Sequence, residues 1–352
     1  MSVVPITSSF QTEAPLHPKA AQLLTEVFAR GWADPAKIHE PSRQTALLLH
    51  EAKASFAAAL GVRADEIYFL GEPPLGFHLG INGLLTPASC LFFSGTDRAP
   101  VHAIVHQRTS SHLAAAEYEN QNGSPSDVLV YQPINPETGI HKEKPENFLG
   151  AVFVDNTAYG VHSHLPSNWS ASFWQSRSWQ GPAGLGVLAI KNEVNWRNPL
   201  PHIDSTKVPQ SFSIPLALAS AIALENFTKD LLSAHTQTRE FKNEIISFLQ
   251  KNIGDVVIVG LEGESSASLL SVIISGVDSE RLINDLNARQ IYVDAGSACM
   301  SGNMQPSHVL AAMGLPVTGN MRITLHPQTT HEDVAKLLLN LEELVRKQRN
   351  IN

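Results

Sequence analysis

Cysteine is nearly absent: Cys90 and Cys299 are the only two in 352 residues. That scarcity excludes a disulfide framework and a cysteine-rich zinc site, and it fits a reducing, cytoplasmic setting. Basic charge is also in short supply. Lys plus Arg number 25 against 33 Asp plus Glu, a formal net charge of −8, so a surface built to neutralise nucleic-acid phosphates is not expected. No apolar run approaches the roughly 18–20 residues of a membrane helix. The first residues show no basic stretch followed by an apolar one, so neither a membrane span nor a signal peptide is expected. No repeat of fixed period and no long charge block interrupts the chain. The 15 histidines include no HExxH motif and no i,i+4 pair backed by a carboxylate, so no metal site is expected.

What remains is an ordinary globular composition, 43% hydrophobic and 16% charged with a mean hydropathy of −0.06, sufficient for a full-sized core. At 38.2 kDa one large domain plus a smaller one is the natural division. Helical spacing marks PKAAQLLTEVFAR from Pro18 and RQTALLLHEAKASFAAAL from Arg43, the latter closed by Gly61. IYFLG reads as a buried strand, and LGFHLGINGLL reads as helical despite its three glycines. Between 91 and 200 short apolar runs alternate with helical or loop stretches through LFFSG, AIVHQ, HLAAAEYEN, DVLVYQP, GAVFVD and GVLAIK, the pattern of an α/β domain with a parallel sheet. A long helical pattern over about 214–250 follows. Shorter strands and helices then alternate through VVIVG, SLLSVIIS, SERLINDLNARQ, NMRITL and HEDVAKLLLNLEELVRKQR. The expected organisation is an N-terminal arm at 1–15, a large α/β domain at 16–250 including the long linking helix, and a small α+β domain at 251–352.

The sharpest local feature is VDAGSACMSGNMQPSHVLAAMG, in which one cysteine sits in a Gly/Ser/Ala loop ahead of a helix. Taken alone, such a cysteine is more often a small buried hydrophobe than a nucleophile. With its downstream PSHVL, AMGL, MRITL and TTHED, however, the segment resembles the C-terminal domain of group I cysteine desulfurases, members of the class V aminotransferase family of pyridoxal-phosphate enzymes. WADPAKIHEPSRQTALLLHEAKASFAAALGVRADEIYFLGEPP resembles the family's N-terminal stretch, and SFWQSRSWQGPAGLGVLAIK its lysine turn. The resemblance implies the fold of type I pyridoxal-phosphate transferases and a homodimer, with a heterodimer alongside an intact desulfurase as the alternative.

Carried over residue by residue, the resemblance places the persulfide-forming cysteine at Cys299 and the arginine that grips the substrate carboxylate at Arg322. It places the carboxylate that pairs with the pyridine nitrogen at Asp155, where an anion lets the ring act as an electron sink; a strand-end aspartate capping a turn is the other reading. The threonine that reaches across the dimer becomes Ser213, and the ring-stacking imidazole falls near His106 to Arg108. Two elements depart from the pattern. Ser178 stands in the Schiff-base position, preceded by Arg177 in place of a histidine, and a hydroxyl cannot form an aldimine. The phosphate loop reads Gly71, Glu72, Pro73, Pro74, which adds an anion and removes N–H donors. Losing two or three charge-assisted donors at roughly 1.5–3 kcal/mol each weakens phosphate binding by about 10³- to 10⁶-fold.

The expectation is therefore a pseudoenzyme with pyridoxal phosphate lost or held non-covalently, kept as a binding or assembly protein with a possible protein partner in sulfur metabolism. Two alternatives stand beside it. One is an active sulfur-transfer enzyme that uses the cofactor without a Schiff base or relays persulfide through Cys299. The other is a pocket that holds a different anion through Arg177 and Ser213. Trp169, Trp174 and Trp179, spaced by five, are expected to fill space left by the cofactor.

Overall fold

The computed structural model describes residues 9–30, 33–71, 73–158, 161, 165–201, 212–296 and 306–351. In chain order its elements are β1 (Ser9–Phe10), α1 (Pro18–Arg30), α2 (Glu40–Leu60), β2 (Ile67–Leu70), α3 (Pro73–Asn82), β3 (Leu91–Phe93), α4 (Ala99–Ser110), β4 (Ala115–Glu117), β5 (Val128–Tyr131) and β6 (Ala151–Asp155). They continue with β7 (Trp169–Gln175), β8 (Gly186–Ile190), α5 (Ile214–Phe248), β9 (Val256–Ile258), β10 (Leu269–Ile274), α6 (Ser279–Ala288), β11 (Tyr292–Val293), α7 (His308–Ala312), β12 (Asn320–Thr324) and α8 (His331–Ile351). None of the described helices is long and apolar enough to cross a membrane.

The chain divides into two compact units. The larger comprises Ala14–Pro133 and Lys142–Lys229; the smaller comprises Met1–Glu13, Ile134–His141 and Asp230–Asn352. This partition departs from the sequence expectation at three places. The second half of α5 belongs to the small unit, because Phe241 and Ile245 are buried in its core with Leu249, Leu270, Val272 and Leu341. The segment Ile134–His141 joins that unit too, bridging through Ile140 to Ser265. Residues expected as a simple N-terminal arm supply β1, which pairs in parallel with β11.

The large unit is built on a seven-stranded sheet in the order β2-β8-β7-β6-β5-β3-β4. Strand β8 runs antiparallel to both neighbours and the other pairs are parallel. Every residue of β5 and β8 is buried, as expected of strands covered on both faces. AIVHQ, expected as one of the short apolar runs of the sheet, is helical instead: Val101, Ile104 and Arg108 are its buried face at three- and four-residue spacing. On one face Phe56, Phe69, Trp174, Trp179, Ala217 and Leu224 form a continuous core. Two of the three spaced tryptophans are thus core residues rather than fillers of a ligand space. The Trp179 ring meets Phe56 edge-on at 5.9 Å, and its indole N–H donates to Ser220 at 3.0 Å. Trp169 is half-buried with the Lys191 ammonium 5.8 Å from its ring centre.

Helix α2 ends at Gly61, whose φ of 70° lies in the left-handed region and whose N–H reaches Ala57 O. A Cβ at Gly61 would meet nothing within 4 Å, so Gly61→Ala is expected to cost about 1 kcal/mol from backbone strain alone. Gly61→Asn should cost clearly less, both read as shifts of the urea midpoint.

The small unit carries an antiparallel sheet in the order β12-β10-β9, whose central strand is buried throughout. Helices α6 and α8 complete its core through Leu282, Leu286, Val334, Leu337 and Leu344. Asp278 caps α6 by accepting from Arg281 N.

Candidate functional site

Parallel strands leave their carboxyl ends as the place where side chains from neighbouring loops converge. In the large unit β7, β6, β5 and β3 lie side by side, and the residues at or just beyond their ends form one polar cluster. Asp155 is the last residue of β6, 1% exposed. Its Oδ1 accepts from the Thr157 backbone N–H at 3.0 Å and from the Thr157 hydroxyl at 2.5 Å. Its Oδ2 accepts from Gln132 Nε2 at 3.0 Å and pairs with Arg98 Nε at 3.5 Å. A carboxylate offers about four lone-pair sites; three are met by hydrogen-bond donors of this chain, and the Arg98 guanidinium adds an ion pair.

Two further charges stand beside this carboxylate. Asp97, 1% exposed, accepts from Ser94 N at 2.7 Å. Lys142 Nζ donates to Thr96 Oγ1 at 2.9 Å and lies 3.8 Å from Asp97 Oδ1. Burial lowers the Lys142 pKa, and the carboxylates of Asp97 and Asp155 partly restore it. The cluster therefore balances two cations, Arg98 and Lys142, against two anions.

Ser178 lies in the short turn of helix Ser176–Trp179 that follows β7. Its hydroxyl donates to the Thr157 carbonyl at 2.9 Å, so Thr157 joins it to Asp155. Arg177 occupies the same turn, half-buried. Ser213 immediately precedes α5, and its carbonyl accepts from Ala217 N. Gly71 sits in the bend between β2 and α3, and α3 opens on Pro73 and Pro74, which carry no N–H. His106 is exposed on α4. The side chain near this helix that reaches Asp155 is instead Arg98, the N-cap residue just before α4. Arg98, Gln132, Thr157 and Lys142 were not legible as site residues. For Arg98, Gln132 and Thr157 only a position shortly after a strand end could have marked them, and Lys142 carries no such mark.

In the small unit Arg322 lies on β12, its side chain 18% exposed. Its Nη2 donates to Asp294 Oδ2 at 2.8 Å and to Thr12 Oγ1 at 2.7 Å, and its Nη1 reaches Pro136 O at 3.3 Å. Nearby, buried Glu137 accepts a short hydrogen bond from Ser307, the residue that caps α7. Cys299, Glu72 and the rest of 297–305 lie outside the described residues. Among the described residues no group of three or more His, Cys, Asp or Glu side chains could hold a metal ion.

The chain's likenesses agree with one another. Residues 176–337 match the family model Aminotransferase class-V. Over 96% of its length the chain is 23% identical to cysteine desulfurase IscS of Methanosarcina thermophila, covering 91% of that protein. It is 27% identical over 95% of its length to cysteine desulfurase IscS of Clostridium botulinum, covering 93% of that relative. Among solved structures, a NifS-like protein superposes with a TM-score of 0.83 at 19% identity over 96% of this chain and 99% of the other. A NifS-like protein from Rickettsia africae superposes with a TM-score of 0.82 at 13% identity over the same shares of the two chains. The fold is thus that of type I pyridoxal-phosphate enzymes, with the single antiparallel strand β8 inside an otherwise parallel sheet.

Proposed function

We propose that this chain, which matches the class V aminotransferase model over residues 176–337 and is similar to cysteine desulfurases over nearly its whole length, is a cysteine desulfurase-like member of that family that has left Schiff-base chemistry and serves as a binding or assembly protein. Pyridoxal phosphate is the cofactor expected of that family. It supplies an electron sink that stabilises negative charge on a substrate carbon. The residues at the corresponding positions do not fit a covalently held form of it.

The observation that carries this reading is the network that runs from Asp155 through Thr157 to Ser178. A protonated ring nitrogen needs an acceptor on the carboxylate, yet Thr157, Gln132 and Arg98 already engage both oxygens of Asp155. A Schiff base needs an amine, and Ser178 offers a hydroxyl that is itself donated to Thr157 O. The phosphate end fares no better, because Pro73 and Pro74 open α3 where a phosphate would look for N–H donors. By the same resemblance the protein works as a homodimer in the cytoplasm, with a protein of sulfur metabolism as the partner class.

The test is the visible absorbance of purified protein with and without added pyridoxal phosphate, followed by borohydride reduction and intact-mass measurement. No bound chromophore and no mass adduct are expected. A stable absorbance band with a reduced adduct on any lysine would overturn the reading.

A further inference from the structure

Arg322 does not present an open guanidinium. One oxygen of Asp294, Oδ2, accepts from Arg322 Nη2 at 2.8 Å, from the Thr12 hydroxyl at 2.6 Å and from the Thr12 backbone N–H at 2.8 Å. The Thr12 hydroxyl in turn accepts from Arg322 Nη2 at 2.7 Å. The backbone fixes the pair as well: Asp294 N donates to Arg322 O at 3.1 Å and Arg322 N to Asp294 O at 2.7 Å. Both side chains are largely withdrawn from solvent, at 18% and 21% exposure, so the pair is not a fluctuating surface contact.

We propose that Asp294 is an internal stand-in for a ligand carboxylate and is the residue that denies Arg322 to small carboxylate ligands such as α-amino acids. A carboxylate from solution must displace one that a paired backbone holds in place, and such intramolecular competitors act at effective concentrations far above those of a dissolved ligand. Thr12 strengthens the block, because β1 pairs with β11 and so keeps the N-terminal segment beside Asp294. The pairing is one of sign as well as shape: with Asp294 in place, an arriving anion meets a neutralised guanidinium beside a carboxylate. The inference rests on the reading that places the carboxylate-gripping arginine of the family at Arg322.

Titration calorimetry with L-alanine, with no pyridoxal phosphate added, tests it. Asp294→Ala is expected to bind at least 10- to 100-fold more tightly than the unaltered protein, the range that one charge-assisted contact confers. Asp294→Asn, which keeps the shape and an acceptor for Thr12 and Arg322 but removes the charge, should show a smaller gain in the same direction and guards against a folding defect in the alanine variant. Adding Arg322→Gln to either should abolish the gain. Equal binding by the unaltered protein and both variants, or a gain that survives loss of Arg322, would overturn the inference. Because no cofactor is present, a protein that later proves to take up pyridoxal phosphate would sink the functional reading above and leave this result standing.

Discussion

Asp155→Ala is expected to destabilise the large unit by about 2–4 kcal/mol, read as a lowered urea midpoint with an unchanged slope. The carboxylate is 1% exposed, and its removal takes away the acceptor of the Gln132 amide and of the Thr157 hydroxyl and N–H together with the counter-charge beside Arg98. Removing one partner of a buried pair ordinarily costs more than the pair contributes, because the other charge stays behind. Arg98 is 27% exposed and can recover part of its hydration, which sets the effect below the largest such losses. Arg98→Leu should cost less than Asp155→Ala for that reason. The double variant should fall short of the sum of the singles by about 1–2 kcal/mol, the signature of two groups in one network. Additive losses would show that Arg98 and Asp155 do not act on each other.

The fold was largely legible because its signals are local and repeated. The apolar runs around Val128, Val152 and Val187 are buried strands, and the long periodic stretch from Ile214 is one helix. The exceptions have a common cause. AIVHQ is apolar enough for a strand, but its register places Val101, Ile104 and Arg108 on one helical face, and the arginine that completes this face does not count as apolar in any pattern. The tryptophans at 174 and 179 are too far apart for one period, and the turn between them is what brings both to the same core. At the site, the resemblance is what implies departures at Ser178 and Pro73, since it assigns a role to each of those positions. The partners could not. Arg98 lies 57 positions from Asp155, and Asp294 lies 28 from Arg322; which charge answers which is decided by strand order and register. Asp294 was in plain view two residues before Gly296, and only its backbone pairing with Arg322 gives it a role.

Between about pH 8 and pH 10 the protein is expected to gain stability relative to Lys242→Met, by about 1–3 kcal/mol after discounting for an amine only partly withdrawn from water. Lys242 lies in the small unit, where its Nζ donates to Ser266 O at 2.7 Å and Ser265 Oγ at 2.9 Å. Burial first, and the Arg239 charge second, push its pKa down to about 8. The unfolded chain keeps the proton to the ordinary lysine value of 10.5, so above pH 8 the unfolded state binds more protons than the folded one and stability rises with pH. Below pH 8 both states are protonated and this contribution is flat. The groups that face Lys242 do not blur the window. Burial lowers the pKa of His141, with Glu264 opposing and Lys242 reinforcing the shift, and burial likewise lowers that of His235 beside Arg239. Both imidazoles are therefore neutral before Lys242 begins to titrate. Lys53 and Lys142 are also lowered by burial, and since both remain in the variant, the difference between the two proteins isolates Lys242. The neutral amine still donates to Ser266 O, so the hydrogen bond survives deprotonation. Urea midpoints that keep a constant offset between the two proteins from pH 7.5 to pH 10 would show that Lys242 carries an ordinary pKa.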